Sequence, residues 1–292
     1  MKSDAQPGPV AVTGASGFIG RAVIGELLFR GIPAIAVSRR TVERRDGVDV
    51  RRVESYRDIG DLPAGAATIH LAGEANVPAA NRRGAPHVED ERGLARAVCG
   101  HAPGRVVYAS SAQVYGDADS WPHGPDETPA GGTPYAEGKL AAERVVLERG
   151  GAVARLSNVY GPGKGGTLIA DTLAQIPGTG PLRILDANAR RDFLWIADAA
   201  RCLVDMALGE AGGIFNLASG RALPAAEVAA LALRLAGEGE RPLEAKRDGA
   251  TPSVIALDIT RTTETFGWKP EVTLERGLLL LLGENAALGE AE

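Results

Sequence analysis

The chain is short of the residues that staple, ligate or anchor a protein. Cys99 and Cys202, the two cysteines in 292 residues, are too few for a disulfide framework or a zinc site. Both stand in apolar helix-like segments, which marks them as buried thiols of a reducing compartment. Four histidines show no ligand spacing, so no metal is expected. No apolar run reaches membrane-spanning length, and Met1 to Pro9 lacks the apolar core of a signal peptide. A cytoplasmic protein without membrane contact is the expectation. Positive charge is not in excess either: with a formal net charge of -5, nothing draws the chain to nucleic acid. An anionic ligand would have to be met by local arginines, and Arg39-Arg40, Arg44-Arg45 and Arg190-Arg191 are placed to do so. Internal repeats and low-complexity tracts are also missing.

What is present begins with Val10-Ala-Val-Thr-Gly-Ala-Ser-Gly-Phe-Ile-Gly20, a short apolar run, a glycine turn and then the amphipathic stretch Arg21 to Phe29. A strand, a turn and a helix start present backbone N–H groups and a helix N-terminus to a pyrophosphate. Gly14 permits the tight turn, Gly17 lets the phosphates approach, and Gly20 lets the helix pack close to the sheet. Strand-like runs recur at Val10-Thr13, Ala34-Val37, Thr68-Ala72, Arg105-Ser110 and Ala152-Leu156, with helix-like segments between them. That alternation predicts an α/β fold, a Rossmann-like doubly wound parallel sheet covered on both faces.

The stretch Gly161 to Gly180 turns rich in Gly, Pro and Thr and reads as loops that could close over a ligand. Regular pattern returns at Asp192-Met206 as strand then helix, at Ile214-Leu217 as a late strand, and at Pro224-Leu235 and Leu274-Leu282 as helices. The expected division is a dinucleotide-binding domain over 1–160, to which 190–217 return. Residues 161–189 and 218–292 would form a smaller α/β substrate lobe.

Tyr135 and Lys139 stand at i and i+4, on one face of a helix that Thr133 can cap and Pro134 can open. In the first turn, the helix dipole and the lysine ammonium both favour the phenolate needed for acid–base work. Ser110 and Ser111 end a central strand, where open parallel sheets bind ligands, and a hydroxyl there can donate to the oxygen that a tyrosine protonates. His70 reads as a packed strand residue; His87, His101 and His123 read as polar loop residues, and Trp121, Trp195 and Trp268 as core or lobe-interface residues.

These motifs, with His70-Leu-Ala-Gly73, Ser110-Ser-Ala-Gln-Val-Tyr-Gly116, Arg155-Leu-Ser-Asn-Val-Tyr-Gly-Pro162, Arg191-Asp-Phe193 and Phe215-Asn-Leu-Ala-Ser-Gly220, cover nearly the whole chain. In them the chain resembles the extended short-chain dehydrogenases/reductases of the nucleotide-sugar epimerase, dehydratase and reductase group. The resemblance implies Tyr135 as proton donor or acceptor, Lys139 on the nicotinamide ribose, and Ser111 on the substrate oxygen. It implies cofactor contacts at Gly14, Ser16, Gly17, Phe18, Ile19, Ser38, Arg39, Arg40, Asp58, Leu71, Ala72, Gly73 and Ser110. Gln113, Asn158 and Arg191 are implied to meet a nucleotide-sugar substrate, and a homodimer is the implied assembly. For Arg191 the physical case is independent, since a guanidinium pairs well with phosphate; the competing reading is a surface pair with Asp192.

The departures narrow the chemistry. Dehydratases of the group carry Asp-Glu after the catalytic hydroxyl residue, where this chain has Ala112 and Gln113. Asp90 stands where the group usually has an asparagine, and the acidic residue expected near adenine is Asp58 unless strand register puts Tyr56 and Arg57 there. After the second strand, Ser38-Arg39-Arg40 replaces the acid that would take a ribose 2′-hydroxyl, so NADP(H) is preferred, with NAD(H) possible. The expected activity is NADPH-dependent reduction of a keto group on a nucleotide-linked sugar. The alternatives are an NAD-dependent 4-epimerase and a non-catalytic dinucleotide sensor on the same fold.

Overall fold

The computed structural model describes residues 8–116, 121–247 and 253–289. Strand and helix alternate through β1 (Val10–Thr13), α1 (Phe18–Phe29), β2 (Ala34–Ser38), β3 (Val48–Arg52) and β4 (Ala67–His70). α2 (Val77–Arg83), α3 (Ala85–His101), β5 (Val106–Ser111), α4 (Pro134–Glu148) and β6 (Ala152–Leu156) follow. The second half holds β7 (Asn158–Tyr160), α5 (Leu168–Gln175), β8 (Leu182–Asp186), β9 (Arg190–Trp195), α6 (Ile196–Leu208) and β10 (Gly213–Leu217). It ends with β11 (Ala222–Pro224), α7 (Ala225–Leu235), β12 (Leu243–Arg247), β13 (Val254–Ile255), α8 (Thr260–Phe266) and α9 (Leu274–Gly289).

Seven strands form one parallel sheet in the order β10-β6-β5-β4-β1-β2-β3. Every residue of β1, β2 and β6 is buried, as strands covered on both faces require. α1 and α6 close one face through Val23, Leu27, Leu203 and Met206; α3 and α4 close the other through Ala95, Cys99, Ala142 and Val146. The strand order reverses between β1 and β4, so a crevice opens at their carboxyl ends.

The sequence pattern missed three features. β3 is a half-buried edge strand carrying Asp49, Arg51 and Arg52, so it has no apolar run. The segment read as loops contains α5, capped by Thr167, whose side chain accepts from the Ala170 amide at 3.2 Å. Finally, β9 belongs not to the large sheet but to a small one with β7, β11 and β13, so the chain returns to the large sheet with α6 and β10 rather than at residue 190.

Candidate active site

Gly14 turns the chain out of β1 at φ +73°, and a Cβ there would lie 3.0 Å from the Ala72 amide nitrogen. Leu71 and Ala72 run past this turn, their amides donating to the Thr13 carbonyl at 3.2 Å and the Thr13 hydroxyl at 3.3 Å. The Gly17 amide donates to the Gly14 carbonyl at 2.8 Å, and α1 opens at Phe18. Ile19 anchors the helix start in the core, and the Lys164 ammonium sits 5.4 Å over the Phe18 ring. The result is a tight glycine turn against a helix N-terminus, which fits a dinucleotide pyrophosphate.

At the end of β2 the Ser38 hydroxyl donates to the Ser16 hydroxyl at 2.8 Å and accepts from the Arg40 amide at 3.0 Å. The Arg39 guanidinium lies 5.3 Å over the Tyr56 ring, and its amide donates to the Tyr56 hydroxyl at 3.4 Å. Asp58 is not part of this corner. Its carboxylate accepts from the Gly60 amide at 3.1 Å and lies 3.9 Å from His101, the last residue of α3. Asp58 thus faces the carboxyl end of α3. Tyr56 stands beside Arg39 instead.

α4 begins as its sequence dictates: the Thr133 side chain accepts from the Ala136 amide at 3.2 Å, and Pro134 takes the first position. Asn81 of α2 accepts from the Tyr135 amide at 3.0 Å. Tyr135 and Lys139 are both buried, the ammonium 5.7 Å from the tyrosine ring centre. Ser111 ends β5, and its hydroxyl oxygen accepts from the Gln113 amide at 3.2 Å, leaving its O–H to donate. Gln113 sits in a single 3₁₀ turn, Ala112–Tyr115, which packs on Leu140 of α4 and so fixes Ser111 relative to that helix. Ser110 goes elsewhere. Its hydroxyl donates to Glu143, which holds the Arg155 guanidinium at 2.8 and 3.1 Å, so that side chain serves a buried ion pair rather than a cofactor.

α3 brings to Lys139 a residue the sequence reading passed over. Asp90 points outward to Arg57 and Arg83. Glu91 faces inward, with a carboxylate oxygen 3.2 Å from the Lys139 ammonium and the Tyr108 hydroxyl donating to the same oxygen at 3.3 Å. The available signal was the helical period: His87, Glu91, Ala95 and Val98 form one stripe, in which a lone acid is conspicuous. His87 is on α3 and His123 in the connection before α4, where it bridges to Leu257; both are fully buried, and Trp121 is exposed rather than core. The His87 ring lies parallel to that of Tyr135 at 6.4 Å, and desolvation holds its pKa below the ordinary range. His70 is packed as expected, bonded to the Thr13 hydroxyl at 2.8 Å, and burial pushes its pKa down to about 4.

In the small sheet, the Asn158 amide on β7 donates to the Asp192 carbonyl on β9 at 3.1 Å. Arg191 donates to the Ser253 carbonyl and hydroxyl at 2.7 and 2.9 Å. Asp192 is fully buried and accepts from the Ser219 amide and hydroxyl, so the surface pair with Arg191 does not form. A groove of about 720 Å³ opens between α7 and residues 270–275, but Ser111, Tyr135 and Lys139 do not line it. Among the described residues no helix is long and apolar enough to cross a membrane, and no cluster of His, Cys, Asp and Glu could hold a metal.

A parallel sheet with a glycine cradle at its switch point and a Tyr-x-x-x-Lys helix beside a strand-end serine defines an extended dehydrogenase/reductase site. The NAD dependent epimerase/dehydratase family matches residues 10–218, and the chain belongs to that family. It is 30% identical to GDP-6-deoxy-D-mannose reductase of Pseudomonas aeruginosa over 94% of this chain and 95% of that one. It is 25% identical to UDP-glucose 4-epimerase of Azospirillum brasilense, over 90% of this chain and 87% of that one. Among solved structures, RMD from Pseudomonas aeruginosa complexed with NADPH superposes with a TM-score of 0.80 at 28% identity, covering 96% and 99% of the two chains. MoeE5 in complex with UDP-glucuronic acid and NAD gives 0.81 at 27%, covering 96% and 100%. The protein is an NAD(P)-dependent enzyme of nucleotide-sugar oxidoreductase type.

Proposed function

We propose that the enzyme reduces a keto group on a nucleotide-linked sugar at the expense of NADPH. The observation that carries this is the corner at the end of β2, where Ser38 is locked to Ser16 and two guanidinium groups stand in place of the acid an NAD site uses. The likeness to a GDP-6-deoxy-D-mannose reductase supports the same direction of chemistry. Gly14, Gly17 and Phe18 at the turn and Leu71 to Gly73 beside it would hold the dinucleotide, with Arg39 and Arg40 on its 2′-phosphate. When bound, NADPH supplies the hydride. The Tyr135 hydroxyl gives its proton to the carbonyl oxygen, the Ser111 O–H orients that oxygen, and the Lys139 ammonium holds the ribose and the tyrosine in register. Ala112 and Gln113 offer no acid–base pair for eliminating water. Asn158 and Arg191, on β7 and β9, would meet the nucleotide diphosphate from the smaller lobe. The setting is the reducing cytoplasm, the assembly a homodimer.

The test is stoichiometric loss of NADPH absorbance when a nucleotide-linked 4-ketosugar is added to protein purified without cofactor. The relatives named UDP-glucose 4-epimerase favour a second reading, in which NAD stays bound and one carbon is oxidised and re-reduced. Retained NAD with epimerisation that consumes no NADPH would replace the first reading by the second.

A further inference from the structure

Glu91 is the meeting point of three elements that surround the catalytic lysine. One carboxylate oxygen contacts the Lys139 ammonium on α4 at 3.2 Å and the Tyr108 hydroxyl on β5 at 3.3 Å. The other accepts from the Glu74 amide at 3.0 Å, just beyond β4. The segment leaving β4 is shaped around it: Gly73 sits at φ +156°, and a Cβ there would lie 2.9 Å from both carboxylate oxygens. Glu91 is 5% exposed and Lys139 7%, so neither charge can turn to water without leaving the other buried.

We propose that Glu91 is a positioning residue that holds the Lys139 side chain charged and aimed along α4 before any ligand arrives. The inference rests on the reading of Lys139 as the ribose-binding lysine, and adds to it the group that keeps the lysine ready. A buried lysine without a counter-ion sheds its proton, and a neutral amine is a weaker partner for a ribose hydroxyl and for a phenolate. Burial here works against both charges. Tyr108, Glu91 and Tyr135 outweigh it for the ammonium, holding the lysine well above its ordinary range; Lys139 and the Glu74 amide outweigh it for the carboxylate, holding Glu91 below its own. The other titratable groups facing the pair are His70 on β4, His87 on α3 and, further out, Arg83 on α2 and Glu74. The two buried histidines are held toward the neutral form, so the carboxylate is the anion that answers the ammonium.

The test reads Lys139 directly. The chain has five lysines, so protein labelled at lysine Cε gives a spectrum in which Lys139 is assigned by its loss in Lys139→Met. Wild type should show no titration of that resonance up to about pH 11. Glu91→Gln should lower its midpoint by about two pH units or more, and Glu91→Asp should restore most of the difference. NADPH affinity, followed by cofactor fluorescence, should stay level with pH in wild type, fall through the new midpoint in Glu91→Gln, and be weak at every pH in Lys139→Met. A Lys139 resonance in Glu91→Gln that titrates as in wild type overturns the proposal, whatever Lys139→Met does to affinity. Unchanged NADPH binding in Lys139→Met, with the Glu91→Gln titration shifted, overturns only the ribose reading and leaves Glu91 as the lysine's anchor. Should Glu91→Gln fail to fold, Glu91→Gln/Lys139→Met decides: recovery of folding supports an unpaired ammonium as the cause, and continued failure overturns it.

Discussion

Around α4 every buried charge has an opposite charge in contact: Lys139 has Glu91, and Arg155 has Glu143. At Asp192 on β9 and at the end of β2, charges stand without one. Asp192 is buried among neutral donors, and among the described residues neither Arg39 nor Arg40 has a carboxylate partner. The two regions differ in what fixes them. A matched pair is expensive to break and insensitive to pH near neutrality, so it can hold catalytic side chains in one geometry. A lone buried acid changes state near neutral pH, and lone exposed cations are free to be met by a ligand.

The largest effect should come from breaking a matched pair. Arg155→Met leaves Glu143 in the core with the Ser110 hydroxyl, and should cost about 3–5 kcal/mol of stability by urea denaturation. Replacing Glu143 by Met as well should recover much of that loss; a double variant as unstable as the single one would mean the damage is packing rather than charge. Asp192 should show the opposite character. Burial raises its pKa to about 6, against hydrogen bonds from Ser219 that work the other way. The folded state therefore binds this proton more tightly than the unfolded chain. Its stabilising effect is complete below about pH 4 and is lost as pH rises through about 6, a swing of about 3 kcal/mol. Wild-type stability minus that of Asp192→Asn should fall by this amount between pH 4 and pH 7.5, and a flat difference would place Asp192 with the matched charges.

How much of this was legible depended on range in sequence. The glycine turn and the helix from Thr133 to Lys139 are local: cap, proline, tyrosine and lysine lie within seven residues, and propensity alone assembles them. Glu91 and Lys139 are 48 residues apart, and their contact exists only because α3 packs on α4. The choice between Asp58 and Tyr56 stayed open because β3, an edge strand with three charged residues, gives no apolar run from which to count the loop that follows it. Ser110 and Ser111 are adjacent and chemically alike; strand alternation sends one hydroxyl to Glu143 and leaves the other at the strand end, a distinction invisible until the sheet's faces are assigned.

The matched region should also prove the catalytic one. Tyr135→Phe keeps the ring beside Lys139 and His87 and removes only the hydroxyl, so turnover should fall about 10²-fold or more with cofactor affinity nearly intact. Turnover close to wild type would move the proton donor elsewhere.

The smallest effect is expected where charges are unmatched and exposed. Arg39 spends its guanidinium face on Tyr56, and the Arg40 amide is tied to Ser38, so both are held at the end of β2 without an internal anion to compete for them. Replacing both by alanine removes nothing the fold depends on, and thermal stability should be unchanged. What should change is selection: NADPH binding should weaken by about 2 kcal/mol, some 30-fold, while NADH binding hardly moves, because only the 2′-phosphate distinguishes the two. Solvent screening keeps the figure low, and raising salt should shrink it further for the wild type than for the variant. Equal losses for both cofactors would show that the two arginines serve the adenosine generally; no loss for either would return them to the exposed surface.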